Sequence, residues 1–110
     1  MSKSDIHGII KKCVELMVNG DFIELERANM NGRLSVEDIR FELSDYPGKL
    51  SIPPNESYKE MDIYKVHTGG WRNVNFKLWY DNQESDLTLS VRVKQTSGDP
   101  ELQIQDIHVL

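Results

Sequence analysis

The residues able to do chemistry in this chain are few and scattered. Three histidines stand at positions 7, 67 and 108, and the only cysteine is Cys13. None has the i, i+4 spacing with which a helix holds zinc, and one thiol makes neither a Cys-x-x-Cys pair nor an internal disulfide, so no metal and no cofactor are expected. Cys13 falls on the apolar side of a helix and reads as core packing. Asp81, Asn82, Glu84, Ser85 and Asp86 crowd oxygen donors between two apolar runs. The central glycine and terminal glutamate of a calcium loop are missing, and a hairpin connector is the better reading. Tyr80 and His108 are the one pair suited to proton transfer inside a pocket. Tyr80 is expected instead to end a strand with its hydroxyl in water and His108 to face outward, so no catalytic residue is assigned.

Two groups with binding chemistry remain. Asp38, Glu42 and Asp45, spaced i, i+4 and i+7, make one acidic stripe on a helix, with Asp21 and Glu24 as additions to it. Trp79, Lys77 and Arg92 fall on the outward side of alternating strands, an aromatic beside two cations and thus residue types enriched where proteins meet. Trp71, directly after Gly69-Gly70, reads as the anchor of that turn.

The elements that must position these residues follow from periodicity. Val74, Phe76, Leu78 and Tyr80 share one face of a first run, and Leu87, Leu89, Val91 and Val93 share one face of a second, the alternation of half-buried antiparallel strands joined by the polar stretch from Asp81 to Asp86. Upstream, Ser4 is placed to cap a helix from about Asp5 to Val18 that buries Ile6, Ile9, Ile10, Cys13, Val14 and Met17 and closes at Asn19-Gly20. Asp21 and Glu24 read as a capping pair opening a short helix that ends near Asn31-Gly32. Ser35 opens a third, with Val36, Ile39 and Leu43 inward, which stops before Tyr46-Pro47. After Gly48 the period becomes two. Lys49 to Ile52 is a short strand cut off by Pro53-Pro54, Met61 to His67 another, Thr68-Gly69-Gly70 a turn, and Trp71 to Tyr80 the longest strand. In the last strand Leu102 and Ile104 are out of phase with Ile107 and Val109, a mismatch that a β-bulge at Gln105-Asp106 corrects. The expected fold is α+β: one domain, residues 1–110, with N-terminal helices on one face of a curved antiparallel sheet of about five strands, a cystatin-like cone.

A chain of 110 residues suits one such domain. Its 13 basic and 18 acidic residues leave a formal charge of -5, spread over both halves. That balance weighs against direct nucleic-acid binding, which relies on Lys and Arg to displace counterions, and permits a basic protein as partner. No apolar run is long enough to span a bilayer, so a cytoplasmic protein, monomeric or weakly dimeric, is expected.

The segments Val18-Asn19-Gly20-Asp21-Phe22, Leu34-Ser35-Val36-Glu37-Asp38-Ile39, Asp86-Leu87-Thr88-Leu89-Ser90-Val91 and Asp106-Ile107-His108-Val109-Leu110 resemble a family of small bacterial proteins of unknown function, over nearly the whole chain. Size and character also resemble the immunity proteins of contact-dependent growth-inhibition systems. The resemblance implies a cystatin-like or nuclear-transport-factor-two-like fold. It further implies a binder that neutralises the C-terminal domain of a cognate toxin, a nuclease, by occluding its active site, with the acidic stripe in the toxin's phosphate-binding groove. The alternative is a cone-fold enzyme or small-ligand carrier using the hollow between helix and sheet.

Overall fold

The computed structural model describes residues 3–65 and 69–109. Three helices, α1 (Lys3–Val18), α2 (Phe22–Arg27) and α3 (Val36–Asp45), precede strands β1 (Leu50–Ser51), β2 (Asp62–Lys65), β3 (Trp71–Tyr80), β4 (Gln83–Lys94) and β5 (Glu101–Val109). A 3-10 segment, Asn55–Glu60, separates β1 from β2. The fold is α+β, with an open antiparallel sheet in the order β1-β3-β4-β5. Strand β2 also pairs with β3, beside β1, so these two short strands form one edge that the Pro53-Pro54 stretch and the 3-10 segment interrupt.

Helix α1 begins at Lys3, earlier than a cap at Ser4 would place it, and ends as its sequence requires. Gly20 takes φ +75, and the Asp21 and Gly20 N–H groups return to the Leu16 and Met17 carbonyls in a Schellman closure. The expected capping pair at α2 is not formed, because Asp21 makes no side-chain cap bond, and the helix stops at Arg27 rather than near Asn31. Asn29 supplies the reason: at φ +57 it is the left-handed residue of a second Schellman closure, with Met30 N–H on Leu25 C=O and Asn29 N–H on Glu26 C=O. Helix α3 starts as expected, Ser35 Oγ accepting the Asp38 N–H at 3.1 Å.

Two register shifts shape the sheet. Between Ser90 and Val91 the partners on β5 step from Asp106 to Ile104, leaving Gln105 as the extra residue of a β-bulge. Leu102, Ile104 and Ile107 are therefore all buried on one face, while Val109 emerges at the end. The second shift, between Lys77 and Trp79, was not expected. The six-residue connector is in fact a two-residue turn: Asp81 and Asn82, at φ +51 and +61, have the left-handed signature of a type I′ hairpin. Glu84, Ser85 and Asp86 join β4, and the surplus length is absorbed at Ser85. Its buried hydroxyl donates to the Leu78 carbonyl at 2.6 Å and accepts the Leu87 N–H at 3.2 Å, restoring both groups the shift takes from the ladder.

The inward sheet residues Val74, Phe76, Leu78, Leu89, Val91, Val93, Leu102 and Ile104 fill one core with Ile6, Ile10, Cys13, Val14 and Met17 of α1. Helix α1 also lies against α2, the 3-10 segment and β5. Tyr58 of the 3-10 segment stacks on Phe76, ring centroids 4.8 Å apart, on this same inner side. At the hairpin end Gly48 must be glycine: at φ +102, a Cβ would stand 2.6 Å from Asp81 Oδ2. That approach lets Asp81 Oδ1 accept the Lys49 N–H and the Asp81 N–H reach the Lys49 carbonyl, so β1 is tied to the turn. The strand expected to reach His67 is described to Lys65; its end and Thr68 lie outside the described residues.

Candidate partner-binding surfaces

Helix α3 turns Ile39 and Leu43 into the core, and its other side is exposed. At about 100° per residue, Asp38, Glu42 and Asp45 fall within about 60° of one another, so the acidic stripe exists as one ridge. The sequence reading passed over Phe41. It is 62% exposed, lies directly opposite the buried pair, and has Glu37, Asp38, Glu42 and Asp45 around it. Its i+3 spacing from Asp38 was legible, but a Phe on a helix is by default assigned to the core. Glu42 and Asp45 also border a shallow groove of about 610 Å³ whose other lining includes Tyr46, Leu87, Ile107, His108 and Val109. Val109, 58% exposed, adds an exposed apolar side chain to that lining.

Asp21 and Glu24 do not simply extend this ridge. Glu24 is paired with Arg27 at 2.7 Å, both exposed, and Arg40 of α3 lies over the Phe22 ring, 5.4 Å from its centroid. The junction of α2 and α3 therefore carries cations among its acids.

The outer sheet face departs further from expectation. Lys77 is exposed, but Trp79 is half-buried, and its indole N–H is enclosed without an acceptor among the described residues, so Trp79 is no exposed handle. Arg92 sits opposite Asn73, four residues along β3 from Lys77, about 13 Å away at strand spacing. The structure thus separates Arg92 from Lys77 and Trp79. Arg92 belongs instead with Trp71, its guanidinium 4.2 Å from the indole centroid, with Lys94 at 5.6 Å on the same ring. Trp71 also meets the turn, since a Cβ on Gly69 would come within 3.1 Å of its Cδ1.

The groups considered for catalysis are apart. Tyr80 is buried, not in water: its hydroxyl donates to the Leu43 carbonyl near the end of α3, and its ring meets Tyr46 at 4.7 Å. Burial, then the nearby Tyr46, push its pKa up to about 12. His108 pairs with Thr88 on the opposite sheet face, its Nδ1 3.1 Å from Asp106 Oδ2 but without hydrogen-bond alignment. Cys13 is fully buried, and burial pushes its thiol up to about 12, which suits packing rather than nucleophilic attack. Among the described residues no cluster of His, Cys, Asp or Glu has the arrangement of a metal site, and no helix is long and apolar enough to cross a membrane.

Residues 14–110 match the model of a domain of unknown function, DUF7668. The chain belongs to that family. No curated protein and no solved structure matches it. The family description carries no activity, and what this member does must be argued from its own surfaces.

Proposed function

We propose that this DUF7668 protein acts by binding a basic protein, and that the partner is a bacterial toxin domain of nuclease type which it neutralises as an immunity protein. The observation that carries the reading is Phe41, an exposed aromatic at the centre of four carboxylates on the outward face of α3. An exposed aromatic flanked by four carboxylates, with Arg40 turned to Phe22 on the α2 side, has the make-up of an interface anchor: the ring supplies the buried contact and the carboxylates steer a basic surface to it. A nucleic-acid-cleaving site is basic because it must hold phosphates, so an acidic ridge fits it by charge. The filled space between α1 and the sheet favours this reading over the small-ligand alternative, which needs a hollow there. The cystatin-like cone remains the fold reading, supported by α1 lying against one sheet face and by two register shifts that bend strands. A cytoplasmic location would follow from the role.

The test is co-expression with the product of the neighbouring gene, purification of the complex and affinity measurement at two salt concentrations. Phe41→Ala should weaken binding by about tenfold or more, as removal of a hot-spot aromatic does. The triple change Asp38→Lys, Glu42→Lys and Asp45→Lys should weaken it further and abolish the decline of affinity with salt. No complex, or a complex indifferent to both variants, overturns the reading.

A further inference from the structure

The chain carries 18 carboxylates, yet among the described residues none pairs with Arg33 or Arg92, two guanidiniums that line one cleft with Gly32, Gln103, Ile104 and Gln105. We propose that this cleft binds a small oxyanion, free phosphate or the phosphate group of a monoester, held between Arg33 and Arg92.

Three features build the site. Arg92 is fixed before any ligand arrives: its Nε and Nη2 both donate to Gln103 Oε1, at 3.0 and 2.6 Å, and its plane lies over Trp71. Gln103 occupies the Nε–Nη2 edge of the fork and leaves the Nη1–Nη2 edge, the second of the two edges able to take two oxygens of a phosphate or carboxylate. The loop bearing Arg33 is pressed against β5 by Gly32, at φ +59, where a Cβ would stand 2.7 Å from the Ile104 carbonyl. The Ile104 N–H bonds the Met30 carbonyl at 2.7 Å and secures the same contact. The β-bulge supplies the third wall, because the extra residue it inserts is Gln105, which adds a side-chain amide to the lining. The nearest acid on this network is Glu101, whose Oε1 lies 3.4 Å from Gln103 Nε2. It engages the amide and leaves the guanidinium unneutralised. The cleft, about 320 Å³ and open on one side, has room for an ester substituent beyond the anion. This surface is separate from the α3 ridge, and the proposal stands without the protein-binding reading.

The experiment is calorimetric titration of the whole chain with inorganic phosphate at low ionic strength, alongside ribose 5-phosphate. Saturable one-site binding is expected. Arg33→Gln and Arg92→Lys should each weaken it by about tenfold, the loss typical of a charge-assisted donor or of a fork reduced to a point charge. Arg33 is exposed, so Arg33→Gln should leave the thermal midpoint without phosphate unchanged, which separates lost binding from lost folding. Removing the neighbouring charge with Glu101→Gln should tighten binding. Tighter binding of the ester than of phosphate assigns the site to a phosphorylated metabolite, and equal or weaker binding assigns it to the free ion. No saturation up to tens of millimolar phosphate, or equal affinity in wild type and Arg33→Gln, overturns the proposal.

Discussion

Tyr58 and Tyr80 are both buried phenols, yet their hydroxyls are in opposite situations. Tyr80 donates to Leu43 C=O, one of the last carbonyls of α3 and thus one with no partner inside the helix. Tyr58 has the same burial and, among the described residues, no partner for its oxygen. Removing a paired buried hydroxyl leaves its acceptor unsatisfied, at about 1–3 kcal/mol, whereas removing an unpaired one relieves a desolvation cost. Tyr80→Phe should therefore lower the free energy of urea unfolding by about that amount. Tyr58→Phe should leave it unchanged or raise it by up to about 1 kcal/mol, keeping the stack on Phe76. Equal losses in the two variants would contradict this assignment. Nothing in the sequence separates the two tyrosines. Tyr80 reads as a strand end, and its acceptor lies 37 residues away in a helix whose docking the sequence does not specify.

At the scale of elements, the hairpin depends on Ser85. Its hydroxyl serves both the Leu78 C=O and the Leu87 N–H across the register shift. Ser85→Ala strands two buried backbone groups, so a loss of about 2–4 kcal/mol is expected by denaturant unfolding, well above the few tenths of an ordinary strand serine. Amide exchange should localise the loss to the Leu87 N–H, the donor that the hydroxyl accepts. Strand and helix identity was readable because burial imposes its period on the apolar residues, and the bulge at Gln105 was readable because the period slips there by one residue. The Ser85 shift was not, since it lies among polar residues where no apolar phase exists to slip. The end of α2 was missed for a related reason: Asn29 takes the left-handed position usually announced by glycine, and Gly32, which looks like the stop, serves the contact with β5. Among the surfaces, the α3 stripe was legible from spacing alone. The sheet-face group was not, because alternation gives a residue's side but not its distance along the ladder, and Arg92 lies well away from Lys77.

For the whole molecule, the response to alkali follows from how the core holds three weak acids. Burial pushes Cys13 from 9.0 up to about 12 and Tyr80 from 10.0 to about 12. Tyr58 rises from 10.0 to about 12 through burial, then through Glu15 and Cys13. All three folded values lie above their unfolded ones, so below about pH 9 both states keep the protons and stability does not change. Between about pH 9 and 12 the unfolded chain releases protons that the folded one retains, and stability falls as pH rises. Each proton that the folded state retains adds at most about 1.4 kcal/mol per pH unit to the decline, less where solvent reaches the group. Urea unfolding across pH 7 to 12, with tyrosinate absorbance followed in a Tyr46→Phe, Tyr64→Phe background so that it reads Tyr58 and Tyr80 alone, should show a plateau and then this decline, ionisation of these two phenols coinciding with loss of helix. Cys13→Ala should lower the slope by about one proton and move its onset from near pH 9 to near pH 10, because only the two phenols then remain. Stability that stays level to pH 12, or tyrosines that ionise near pH 10 with the helices intact, would mean that these groups are open to water and that the core is less closed around α1 and the 3-10 segment than its burial indicates.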